Sequence, residues 1–197
     1  AKNYDSAIPV LKRLDTEAEF PQNITYAQSN LMKSYYEKQD FVNAVVYADK
    51  VLKNDKIDDR IKSDAQIIVA RSAIKTNDEA KAKEAYAKLQ KIAKGELAAE
   101  ALYYDAYFKN KEGKFEPSNV VVQKIAQDYS GYKYYGAKSL VIMAKNFYGL
   151  KDSFQATYIL ESVIENFKEY TDVIEEAQKE LDFIKGEEAK RNSSITN

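Results

Sequence analysis

The sequence predicts an all-α protein built as an array of antiparallel helix pairs. Three observations carry that reading. Breakers are scarce, with 3 Pro and 6 Gly in 197 residues, so long helices meet few interruptions. Small residues recur at Ala7, Ala44, Ala82, Ser118 and Ala156, with gaps of 37, 38, 36 and 38. A fixed period in that range marks a stacked repeat array. In DSFQATYILESVIENF at 152–167, Ala156, Leu160, Val163 and Phe167 follow spacings that put them on one helical face.

Residues 1–14 read as half of a repeat, with Tyr4, Ala7, Leu11 and Leu14 in the small–large pattern. No partner helix precedes them, which points to a longer array or to an absent partner. Pro9 is tolerated only in a first helical turn, so the helix is expected to start near Asp5 or Ser6, both good N-caps.

The first complete pair occupies 22–54. Its A helix carries Ala27, Leu31, Met32 and Tyr35, and Lys38, Gln39 and Asp40 make the turn. Its B helix carries Phe41, Ala44, Ala48, Val51 and Leu52. A connection this short forces the helices antiparallel and adjacent. The second pair spans 58–95, turning at Thr76, Asn77 and Asp78, with Gly95 expected as the C-cap glycine of its B helix.

The third pair spans 96–128. Its turn, KNKEGKFEP, reads as two residues longer than the others, and Pro117 suits the first turn of the B helix. The fourth pair spans 135–167, where Asp152 and Gln155 have the form of a capping box. A charged helix at 171–190 is expected to close the array as a capping helix. Residues 1–190 are thus read as a single repeat domain, and 191–197 as a disordered tail.

Composition excludes several functions. The chain has no His and no Cys, which removes histidine acid–base catalysis, thiol nucleophiles, disulfides and ordinary zinc sites. Lys and Arg total 30 against 31 Asp and Glu, so the positive excess that phosphate binding needs is missing and no nucleic-acid partner is expected. The Lys-rich stretch 75–94 reads as a solvated helix face. No apolar run is long enough for a membrane span, and no basic-then-apolar segment opens the sequence. NDKIDD at 54–59 lacks the central glycine and final Glu of a calcium loop. No phosphate loop or GxSxG elbow is present. The expectation is no enzyme, no cofactor and no metal.

The repeated residues Leu31, Met32, Tyr35, Phe41, Ala44, Ala48 and Val51, echoed by Val69, Ala70, Ala73, Ala82, Tyr86 and Leu89 and by Met143, Ala144, Phe147, Ala156, Leu160 and Val163, resemble the tetratricopeptide repeat. The resemblance covers nearly the whole chain, although the period is near 37 rather than 34. It implies an α–α superhelix, a right-handed solenoid whose A helices line a concave groove. QATYILESVIENF followed by an acidic helix is also similar to Gram-negative envelope repeat proteins, which implies a periplasmic or outer-membrane-associated location.

On that resemblance the outward residues of the A helices are Tyr26, Ser29, Lys33 and Tyr36, then Asp64, Ile67, Arg71 and Ile74. Ala98, Ala101, Asp105 and Phe108 follow, then Val141, Lys145 and Tyr148. The expected partner-binding set is Tyr26, Lys33, Tyr36, Arg71, Asp105, Phe108, Lys145 and Tyr148. Lys33, Arg71 and Lys145 share one repeat position and would clamp a carboxylate, with Asp105 interrupting the line. The tyrosines at 103, 104, 107, 129, 132, 134 and 135 suit a binding platform, but inter-layer packing is the favoured reading. The expected function is a non-enzymatic scaffold for a peptide or protein, as the C-terminal part of a larger envelope protein. The alternative is a purely structural spacer with no ligand.

Overall fold

The computed structural model describes residues 3–195, with side chains through Arg191. Among these residues there are ten helices and no strand. They are α1 (Tyr4–Glu17), α2 (Pro21–Glu37), α3 (Phe41–Leu52), α4 (Asp59–Lys75), α5 (Glu79–Leu89), α6 (Gly95–Lys111), α7 (Phe115–Asp128), α8 (Lys133–Gly149), α9 (Ser153–Asn166) and α10 (Thr171–Ile195). The chain divides into two compact units, Ala1–Leu97 and Ala98–Asn197.

In the first unit each of α1 to α4 packs on the next, and α2 also meets α4. In the second unit α7 to α10 pack in the same consecutive way, and α8 meets α10. Ser118 of α7 donates a 2.8 Å hydrogen bond to the Ala106 carbonyl of α6.

The turns explain the period. Each of the four helix pairs is joined by three residues: 38–40, 76–78, 112–114 and 150–152. In each, the middle residue is left-handed: Gln39 at φ 60°, Asn77 at 57°, Gly113 at 72° and Lys151 at 69°. The next N–H then reaches back to the carbonyl five residues earlier, as in Asp40 to Tyr35, Asp78 to Ala73, Lys114 to Lys109 and Asp152 to Phe147, all within 2.8–2.9 Å. This is the Schellman closure, which satisfies carbonyls a helix end would otherwise leave open. Asp40, Asp78 and Asp152 then cap the following helix by accepting from Asn43, Lys81 and Gln155 backbone N–H groups.

The third turn is therefore no longer than the others. The expectation of two extra residues placed the start of α7 too late, because Lys114, Phe115 and Glu116 read as polar loop rather than as a first helical turn. Two other boundaries also move. α1 begins at Tyr4 with Asn3 as its N-cap, so Pro9 lies inside the helix rather than in its first turn. α5 ends at Leu89, and Gly95, at φ 58°, opens α6 instead of closing α5. α10 remains helical through Ile195, so most of the expected tail is helix, and residues 196–197 lie outside the described residues.

Four of the five recurring small residues are sealed in the core, while Ala7 of α1 is half-buried. Ala44, Ala82, Ser118 and Ala156 are each 0% exposed, so the helix axes approach closely there. Around Ala156 the core gathers Val141, Ala144, Leu160, Val163, Val173, Ala177 and Ile184. Gly149 is a glycine for a packing reason: a Cβ there would lie 2.4–2.8 Å from the Phe115 ring. No helix among the described residues is long and apolar enough to cross a membrane.

Candidate functional site

In the first unit, α2, the connection after α3 and the start of α4 enclose a recess of about 620 Å³. Pro21, the N1 residue of α2, starts that wall with a preset φ. Asp58 caps α4 on the other side by accepting from the Ile61 N–H at 2.8 Å. Asn54 ties the connection to α2 through its 2.9 Å bond to the Thr25 hydroxyl. The floor is apolar: Met32 is fully buried and Ile57 is 8% exposed, with Ile61 beside them.

Tyr26 stands at the mouth, 61% exposed, an aromatic ring with no core to fill. Ser29 lines the recess, and its hydroxyl is sealed from solvent with no hydrogen-bond partner in the described structure. Such groups are rare in folded chains because an unmade bond costs about 1–3 kcal/mol. Lys33 and Asp64 face each other across the recess in a 2.5 Å ion pair.

The second unit has a different A-helix face. Lys145 of α8 lies between Glu176 at 2.7 Å and Glu180 at 3.2 Å of α10. Burial acts to lower its pKa, but the hydrogen bonds and charges of the two glutamates win and hold it above the ordinary lysine value. The Tyr134 hydroxyl donates to Asp172 at 2.7 Å, and the Tyr135 hydroxyl donates to Glu100 at 2.7 Å. The Lys138 ammonium lies 4.9 Å from the Tyr103 ring centre and 5.4 Å from that of Tyr134, within cation–π range.

These partners decide the status of the expected residues. Lys33 is spent on Asp64 of the next A helix and Lys145 on acids of α10, and Arg71 is also engaged. The sequence register of the third repeat needs correction. Lys33, Arg71 and Lys145 each lie six residues before a left-handed turn residue, and in the third repeat that position is Tyr107, not Asp105. Asp105 is half-buried and paired with Lys109. Phe108 is 5% exposed and faces inward, as do Ala98, Ala101, Ile67 and Val141. For the third repeat the physical reason is the three-residue turn, which shifts that helix face by two positions; Ile67 and Val141 were in register and are buried by packing within their units. Tyr36 leans on Phe41 at 5.8 Å, and Tyr148 on Phe183 at 5.8 Å.

Tyr103 is buried, and the others in its cluster are half-buried except Tyr132. Tyr103, Tyr104, Tyr107, Tyr129 and Tyr135 pack around Leu102, Val122, Ile125 and Ile142, and Tyr134 packs on the cluster around Ala156, so these six are inter-layer core in this unit while Tyr132 is exposed. Sequence reasoning missed Asp172, Glu176 and Glu180. Their spacing of four was the available signal, because it sets three acids on one face of α10. Ile57 and Asn54, which build the recess, lay in the 54–59 stretch that was weighed only as a calcium loop. No group of three potential metal-binding side chains exists among the described residues.

The tyrosines give a pH prediction. Burial, then the hydrogen bond and charge of Asp172, push Tyr134 up to about 12. Burial, then the charge of Glu176, raises Tyr103 well above its usual value. The unfolded chain releases these protons near pH 10 while the folded chain holds them. Stability should therefore fall as pH rises from about 10 through the folded values. In an alkaline titration, part of the tyrosinate absorbance should appear only as helical circular dichroism is lost, and Tyr134→Phe should shrink that late fraction. Ionisation of every tyrosine in one step near pH 10, with helicity intact, would contradict it.

In comparison with known proteins, the chain matches no family model and no curated protein.

Proposed function

We propose that this chain is a non-enzymatic interaction scaffold of the tetratricopeptide type, its helix pairs continuing as an α–α superhelix and its A-helix face receiving a peptide or protein. The observation that carries this reading is the recess between α2 and α4. It combines an apolar floor, an exposed Tyr26 and the Lys33–Asp64 pair, the mix of large apolar surface and few polar groups that ligand sites share. A rigid framework of three-residue turns keeps the ordering cost of binding low. The periplasmic or outer-membrane-associated location rests on the resemblance of 155–167 to envelope repeat proteins.

Selection from a displayed random peptide library tests the proposal. Binders should be enriched on the intact protein and depleted by Tyr26→Ala, which should weaken them about tenfold if Tyr26 is an anchor. Failure to enrich any Tyr26-dependent binder would sink the reading. A spacer with no ligand is the second reading, and the internal ion pairing of Lys33 and Lys145 favours it.

A further inference from the structure

We draw no further inference here: the strongest candidate, the aromatic patch that Phe154 and Tyr158 form on the exposed side of α9, is an unpartnered apolar face, and nothing in the structure shows what covers it.

Discussion

Replacing Leu160 by alanine is expected to cost the second unit about 2–5 kcal/mol, the usual range for a fully buried leucine whose cavity cannot collapse. Leu160 is 0% exposed and sits in one cluster with Val141, Ala144, Val163, Val173, Ala177 and Ile184. Those neighbours come from α8, α9 and α10, so no single helix can shift to refill the space. Small partners such as Ala144 and Ala177 make matters worse, since they have no rotamers with which to reach inward. Urea unfolding followed by circular dichroism should show a lower midpoint with an unchanged slope. Leu160→Met, nearly equal in volume, should cost under about 1.5 kcal/mol. A loss below about 1 kcal/mol for Leu160→Ala would mean that the cluster repacks, and the close approach of the three helices would be in doubt.

The second large effect comes from a polar residue. Asn146 is 0% exposed inside α8. Its amide donates to the Asn119 side-chain oxygen of α7 at 2.8 Å, and its own oxygen accepts from the Asn110 amide of α6 at 2.8 Å. Three helices are therefore joined through one side chain. Asn146→Ala removes a fully buried side chain and its bonds to two half-buried amides, and the expected cost is about 1–3 kcal/mol. Asn146→Asp is expected to be damaging as well, because a carboxylate cannot donate to Asn119 and its charge would be buried without a cation. The double substitution Asn119→Ala/Asn146→Ala separates packing from hydrogen bonding. A coupling energy of about 0.5–3 kcal/mol between the two positions is expected. Additive losses would show that the amides are not working as a pair.

These two residues mark how far the sequence could be read. Leu160 was legible because packing repeats: it lies four residues after Ala156, as Ala48 lies four after Ala44. Asn146 was not, since asparagine in a helix reads as a poor helix former on a wet face. Its partners lie 36 and 27 residues away, and no local pattern links them. Phe108 shows the same limit from the other side. Its exposure turned on a two-residue error in one turn, and a helix face rotates by about 100° for each residue of slip. Lys33 and Lys145 were placed in register correctly, yet the acids that occupy them belong to other helices.

What the sequence determined by itself is the repeat: all-helical content, the period, the capping Asp152 and the small residues at the crossings. Each of these is local physics, set by residue type and spacing within one helix and its turn. Tertiary structure alone decided which cations are already paired, which polar groups are sealed, and where the recess opens. Those properties depend on side chains brought together from separate helices. At the recess, Lys33 meets Asp64, Asn54 meets Thr25, and Ser29 meets no partner.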